Sequence, residues 1–456
     1  MIKMLAVRAT LTAAIAVLGC LLLPAALHVG SSTDGTNRPA SMATATANDV
    51  GGCIGNIQEA GRARAWCLLK SLVQSDAGPI WGSWSPDPSK GMDTFCSEDR
   101  SAKASSPKLQ EKFALLESLT RPGQLPKVIE PATGSQIDQT AAVLFNSAAR
   151  DSICGQLKGA SLTASLNSQA AAGKSFQLDA SKYPIAIKTI WTAIPEQDGL
   201  VPIWDSIVTP ATSQGAPNNW KTLAIVDAPA SPSNSISDQS CHFKPPSAPS
   251  GNTIVPHVSL NCFYAIHVTQ QDIDEAQSVA HIQPRVDVGS APYYLVLLGF
   301  HVAAKGPQGW TWQTFWWSAR AFDQTSDESA LQRDNPFVGT ALADPWSHYA
   351  MKTSVIGSAP CGLSNPYLEF KLPGGSQSSC VNCHSLAAYH PGTGGQADAA
   401  FQAAQTVGLA CQSTASGLRN KQKPSPGAIS TDLLWTLADS NDPVPHSSDG
   451  AANSPR

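Results

Sequence analysis

Residues Tyr293–Ala303 read YYLVLLGFHVA and residues Trp310–Trp317 read WTWQTFWW. Runs this rich in β-branched and aromatic side chains, bounded by Pro and Gly, read as strands. Working outward, Ile185–Trp191, Lys221–Val226 and Thr253–Val268 have the same texture, several of them alternating. Together they predict a β-rich module over residues 175–330, folded as a sandwich or barrel. The Pro- and Ser-rich stretch Ala228–Asn252 reads as a surface loop. Trp310 and Trp312, two apart on a strand, share one face and are expected to fill the module's core. His301, set in an apolar strand, reads as a satisfied core histidine.

The flanks have a different texture. From 53 to 173 the chain reads as a helical region. Ser106-Pro107 opens a helix on which Leu109, Phe113 and Leu116 share a face, and Ala141, Leu144, Phe145 and Ala148 open an Ala-rich helical segment over Ile137–Ala172 that Gly155 and Gly159 interrupt. From 334 to 456 the chain reads as helical and loop-rich, with helices over Asp398–Leu418 and Ser430–Leu437. The expected fold class is therefore α+β: a helical N-terminal region, a β-sandwich-like middle module and a helical C-terminal region.

The chain has 456 residues, of which 42% are hydrophobic and only 14% charged. That balance excludes coiled coils and charge-driven disorder. The net charge is -4, without a basic stripe, so nucleic acid is not an expected partner.

Residues 1–31 carry Lys3 and Arg8 ahead of an uncharged run from Ala9 to Val29. This reads as a signal peptide or an uncleaved membrane anchor, followed by a polar linker over 32–52. Either way, the folded part is expected in the periplasm or otherwise outside the cytoplasm. Of the eleven cysteines, eight lie outside both this segment and the Cys380/Cys383 pair. In an oxidising compartment they suit four disulfides, with Cys53–Cys67 and Cys241–Cys262 the pairings that sequence proximity favours.

Cys380-Val381-Asn382-Cys383-His384 spells the attachment sequence of a c-type haem. Two thiols one helical turn apart add to two vinyl groups on one porphyrin edge, and the adjacent imidazole becomes an axial iron ligand. Zinc on Cys380, Cys383 and His384 would need a fourth ligand that no second Cys-x-x-Cys or spaced His pair supplies. A thioredoxin-like dithiol would need a βαβ setting, whereas this segment comes after the loop Gly374–Ser379.

No methionine lies beyond His384, so the common arrangement with a distal Met downstream of the motif is impossible. For the sixth ligand, Met351 stands first, with His348 beside it, His446 if the tail folds back, and a vacant or water-bound position equally open. In a continuing helix His390 points away from His384 and is discounted. The alternative role of Met351 is core packing.

Three patches carry a family resemblance: Trp66 with Trp81 and Trp84; Leu298-Gly299-Phe300-His301 with Trp310-Thr311-Trp312-Gln313-Thr314-Phe315; and Asn365-Pro366-Tyr367-Leu368-Glu369 leading to Ser378–His384. Together they resemble an exported bacterial family of cytochrome c-like proteins with one haem motif near the C-terminus. In that family Glu-His comes after the Thr-Phe pair; here Trp316 and Trp317 stand there, so the role of that histidine does not carry over. The resemblance implies one covalent haem c and electron transfer with a redox partner protein, the membrane being involved only through an uncleaved N-terminal segment. The competing expectations are a peroxidase-like haem enzyme whose pocket is formed with the β-module, and a binding module in which haem only stabilises the fold.

Overall fold

The computed structural model describes residues 52–54, 61–73, 79–86, 95–96, 107–119, 128–129, 136–137, 139–157, 160–196, 199–204, 222–227, 253–278, 291–318, 335–338, 345–355, 365–368, 384, 387–391 and 429–431. The chain divides into two compact units, Met1–Met42 and Ala43–Arg456, and every described residue belongs to the second. In chain order the elements are α1 (Gly61–Val73), a 3-10 turn (Ile80–Ser83), β1 (Ser85–Pro86), α2 (Pro107–Ser118), β2 (Val128–Ile129), β3 (Gln136–Ile137), β4 (Gln139–Phe145), α3 (Ser147–Leu157) and α4 (Leu162–Ala171). Next come β5 (Ile185–Pro195), β6 (Gly199–Pro202), β7 (Thr222–Asp227), β8 (Thr253–Ser259), β9 (Ala265–Val268), α5 (Gln270–Ser278), β10 (Tyr293–Gly306), β11 (Gly309–Trp317), β12 (Tyr349–Val355), β13 (Ala388–Tyr389) and β14 (Ile429–Ser430).

The long strand β10 is the axis of an antiparallel sheet in the order β1-β4-β5-β10-β11-β12, with β9 also on β10. One edge of β10 pairs with β5 along nearly its whole length. The other edge is shared: β9 takes Tyr293–Val296 and β11 takes Gly299–Gly306. The register shifts between Leu297 and Gly299, a bulge that separates these two halves. Pro307 and Gln308 turn β10 into β11, and Gly309 adopts φ 106, a conformation that a Cβ would strain. A smaller sheet, β6-β7-β8, includes a parallel β7–β8 pair.

Both faces of the main sheet are covered. On the first, Phe300, Phe315, Trp317, Tyr349 and Met351 pack with Trp66 of α1, Trp81 of the 3-10 turn and Leu115 and Leu116 of α2. On the second, Phe145, Ala303, Trp310 and Trp312 pack with Ile153 and Leu157 of α3, Leu162 and Leu166 of α4, Phe176, Tyr389 and Ile429. A sheet buried on both sides loses the polar-out alternation by which a strand is usually recognised.

This overturns the expected α+β division into a helical N-terminal region, a sandwich-like middle and a helical C-terminal region. The described residues form a mostly antiparallel β-structure with few helices, and its strands run through all three segments. Gln139–Phe145, read as the opening of an Ala-rich helix, is strand β4 between β1 and β5, buried at six of its seven positions. Helix begins only at Ser147, because Asn146 intervenes. Its Oδ1 accepts from Ala149 N at 2.9 Å and from Ile185 N at 2.9 Å, which caps α3 and pins the start of β5. At the other end of the chain, Tyr349–Val355 is edge strand β12 on β11, and Ser430, expected to open a helix, lies in β14. The segments 1–31 and 32–52 lie outside the described residues apart from Gly52, as does the expected helix Asp398–Leu418. The strands centred on 185–191, 221–226, 253–268, 293–303 and 310–317 are present, with Thr253–Val268 divided by a 3-10 turn at Leu260–Cys262.

Two four-residue turns of one design fasten the loops to the sheet. In Asn335-Pro336-Phe337-Val338 the Asn Oδ1 accepts from Phe337 N at 2.9 Å and its carbonyl from Val338 N at 3.3 Å. In Asn365-Pro366-Tyr367-Leu368 the matching distances are 2.9 Å from Tyr367 N and 3.1 Å from Leu368 N. Proline presets the turn while the Asn side chain closes it. Asn365 also donates through Nδ2 to Phe315 O at 2.8 Å and Thr314 Oγ1 at 2.9 Å. It approaches so closely that a Cβ on Gly299 would stand 3.0 Å from Nδ2. Tyr367 completes the clamp, its Oη donating to Trp317 O at 3.0 Å and accepting from Trp204 N at 2.9 Å. Asn365→Ala, which strands buried donors and acceptors without partners, is expected to cost about 2–4 kcal/mol in denaturant unfolding.

Helix α5 is tied to α2 by a charged contact. Asp272 Oδ2 accepts from Thr269 N, Thr269 Oγ1 and Lys112 Nζ, each at 2.7 Å, and Thr269 Oγ1 accepts from Asp272 N at 3.2 Å. This is a reciprocal cap in which Asp takes the place usually held by Glu. Burial pushes the Asp272 carboxyl up, but the hydrogen bonds from Lys112 and Thr269 outweigh it and hold the group below the usual 3.8. A carboxyl depressed in the folded state stabilises fully above its unfolded value and loses that contribution as pH falls through the folded one. The stability gap between the native chain and Asp272→Asn should therefore be constant above about pH 5 and close below 3.8, as read by unfolding midpoints across pH.

Candidate functional site

The second face of the sheet carries the residues of interest. Along β11 the side chains of Trp310, Trp312, Thr314 and Trp316 point to this face, and Thr311, Gln313, Phe315 and Trp317 to the first. The Trp310 and Trp312 rings lie 5.8 Å apart, and both residues are 2% exposed. Lys305, opposite Trp310 in register, sets its ammonium 5.9 Å from the centre of that ring and donates to Leu178 O at 2.9 Å. Trp310 and Trp312 are thus core residues, as the strand periodicity predicts.

His384 is brought to this face by the residues C-terminal to it. It occupies a helical position, and its carbonyl accepts from Ala387 N at 3.0 Å. Ala388 and Tyr389 then form β13, paired with β14. Thr431 N donates to Ala387 O at 3.2 Å, Phe176 N donates to Ser430 O at 3.0 Å, and Tyr389 Oη donates to Asn167 Oδ1 on α4 at 2.8 Å. This small ribbon fastens the segment to the layer that covers the second face. The His384 ring is left half-buried, 5.8 Å from Trp312 at an interplanar angle of 48°. Trp312 Nε1 is buried with no hydrogen-bond partner among the described residues.

One cross-strand row borders Trp312. In register, Val143 (β4), Lys188 (β5), His301 (β10), Thr314 (β11) and Lys352 (β12) lie side by side, all on the second face. His301 and Lys352 are the diagonal neighbours of Trp312, and such pairs are within reach of long side chains. The ammonium of Lys352 lies 5.6 Å from the centre of the Trp316 ring.

Of the residues expected to meet His384, Met351 is placed elsewhere. It pairs with Phe315 in register and is fully buried on the first face, so the thickness of the sheet separates it from the Trp312 side where His384 sits. His348 is also on the first face, stacked on Trp317 at 6.0 Å. Met351 therefore fills the core, the alternative role open to it. Cys380, Cys383 and His446 lie outside the described residues. Among the described residues no three His, Cys, Asp or Glu side chains form a metal-binding group.

Of the five motif residues, His384 is the one among the described residues. It is a half-buried imidazole standing against the ring of Trp312. On the first face, Tyr264 Oη donates to Glu111 Oε1 at 2.7 Å, and its hydroxyl is pushed well above its usual range by burial and then by the Glu111 charge.

The disulfides Cys53–Cys67 and Cys96–Cys154 are formed, the first being a pairing that sequence proximity favours. Cys262 is also disulfide-bonded, while Cys241 lies outside the described residues. Among the described residues no helix is long and apolar enough to cross a membrane. In comparisons with known proteins, no protein family, no curated protein and no solved structure matches the chain.

Met351 belongs to the packed first face, so Met351→Leu probes core packing. As a volume-conserving core swap it should cost less than about 1.5 kcal/mol in unfolding.

Proposed function

We propose that the chain is an exported monohaem c-type cytochrome that carries electrons outside the cytoplasm. The observation that carries this reading is the five-residue sequence Cys380–His384. In this reading Cys380 and Cys383 are the thioether anchors and His384 is the proximal iron ligand. The formed disulfides support an oxidising compartment, the setting in which such attachment takes place. The bound iron would supply a one-electron couple. The chain's own contribution is to brace the His384 ring with Trp312, to keep water from that side of it, and to hold the segment in place through β13 and β14. The partner in this reading is another redox protein.

A second reading, a peroxidase-like haem enzyme, is favoured by the position of Met351 and His348 across the sheet from His384. With neither beside the proximal ligand, an exchangeable sixth position is a natural arrangement.

The purified mature protein should give a c-type absorption spectrum, keep its colour through acid-acetone extraction and stain for haem after denaturing electrophoresis. Cys380→Ser combined with Cys383→Ser should abolish all three, and a colourless wild-type preparation matured with haem-attachment machinery would refute the proposal. Addition of cyanide or peroxide separates the two readings. A low-spin ferric spectrum that does not respond supports electron transfer, whereas a high-spin spectrum that shifts supports the enzyme.

A further inference from the structure

One tyrosine on the first face of the sheet is set apart by what accepts its proton. Tyr264 Oη donates to the Glu111 carboxylate at 2.7 Å, and Glu111 is 6% exposed. Tyr349, Tyr367 and Tyr389 instead donate to Leu297 O, Trp317 O and Asn167 Oδ1. A carbonyl or amide oxygen takes up no proton at neutral pH, whereas a carboxylate is a base. The contrast matters for oxidation. A phenol that loses an electron becomes strongly acidic, so a buried tyrosine yields its electron readily only when a base in hydrogen-bond contact takes the proton. Tyr264 also adjoins other oxidisable rings. It stacks on Trp346 at 5.2 Å, meets Trp81 edge-on at 6.4 Å, and the two indoles lie 5.8 Å apart. Both indoles are buried, while Tyr264 itself is half-buried. Trp81 Nε1 is buried with no hydrogen-bond partner among the described residues, so an indole oxidised there keeps its proton and its charge.

We infer that Tyr264, with Glu111 as its base, is a redox-active tyrosine that draws oxidising equivalents out of the Trp81–Trp346 cluster. The oxidant it answers is a one-electron acceptor of the organic peroxyl-radical class. That radical takes one electron from Trp346, which retains 6% exposure, and leaves as the hydroperoxide anion, which water protonates. The indole radical cation then recovers an electron from Tyr264. As that electron leaves, the phenolic O–H bond breaks, the proton bonds to Glu111 Oε1, and a neutral phenoxyl radical remains. The positive hole and the carboxylate charge thereby cancel, which a desolvated site favours. The step involves no haem and stands or falls apart from the functional reading above.

The test exposes full-length matured protein to organic peroxyl radicals from a water-soluble azo initiator in air. Freeze-quenched EPR should show a phenoxyl signal that narrows when the tyrosine rings are deuterated, an assignment independent of any haem. Tyr264→Phe should abolish that signal and raise the oxidation of Trp81 and Trp346 in peptide mass spectra. Tyr349, 5.3 Å from Trp346 but bonded to a carbonyl, is the control, and Tyr349→Phe should leave both readouts at wild-type values. Glu111→Gln keeps an oxygen acceptor but not a base, and should slow phenoxyl formation about a hundredfold, which is loss of the signal at steady state. A wild type without the signal, a signal that survives Tyr264→Phe, or one at wild-type strength in Glu111→Gln would overturn the inference. Should Tyr264→Phe fail to fold, spin trapping in the wild type decides: an adduct on Tyr264 supports the assignment and an adduct on another tyrosine sinks it.

Discussion

The Phe300 and Phe315 rings stack at 4.8 Å on directly opposed positions of β10 and β11, at the middle of the sheet's first face. Most of the architecture is arranged around that pairing. Trp66 reaches Phe315 from α1, and Trp81 reaches Phe300 from the 3-10 turn, so two N-terminal elements are located by one aromatic pair. Trp346, in the 3-10 turn Pro345–His348, and Tyr349, the first residue of β12, close the same cluster. On the reverse side of the same two strands, alternation sends Ala303 and Trp312 to the layer that holds α3, α4 and the His384 segment. The register of a single hairpin thus decides what each layer can touch. A slip by one residue would exchange the two faces and separate Trp312 from His384.

The position of His384 depends on short-range ties rather than on a helical domain of its own. β13 and β14 are two residues each, and their hydrogen bonds to Phe176 and to each other hold the segment against the covering layer. The candidate site consequently belongs to the main fold. The strand face beneath it provides the ring of Trp312.

How much of this was legible in the sequence depends on burial. The strands centred on 185–191, 293–303 and 310–317 announce themselves because their β-branched and aromatic residues lie between Gly and Pro. β4 does not, because Gln139–Phe145 lies in the interior of a sheet covered on both sides and its alanines suit a helix equally well. The pairing of β12 with β11 depends on a long-range register that local pattern does not encode. At the site, the residue types of the Cys380–His384 motif point to a chemistry by themselves, and His384 is found beside Trp312. Met351 illustrates the limit. A methionine near the motif in sequence is a natural candidate, but strand parity places it on the far face. The paired Asn-Pro-aromatic-aliphatic turns at 335 and 365 are visible as a repeated quartet, although what each amide grips emerges only in three dimensions.

The order of strands also bears on how such a chain acquires its fold. β5 is flanked by β4, a near neighbour in sequence, and by β10, which is synthesised roughly a hundred residues later. Until β10 arrives, the Ile185–Pro195 edge stands with its backbone amides and carbonyls unsatisfied, and open strands of this kind recruit other chains. Completion of the central seam therefore waits on a strand distant in sequence, and the Ile185–Pro195 edge is where an incomplete chain would pair with another.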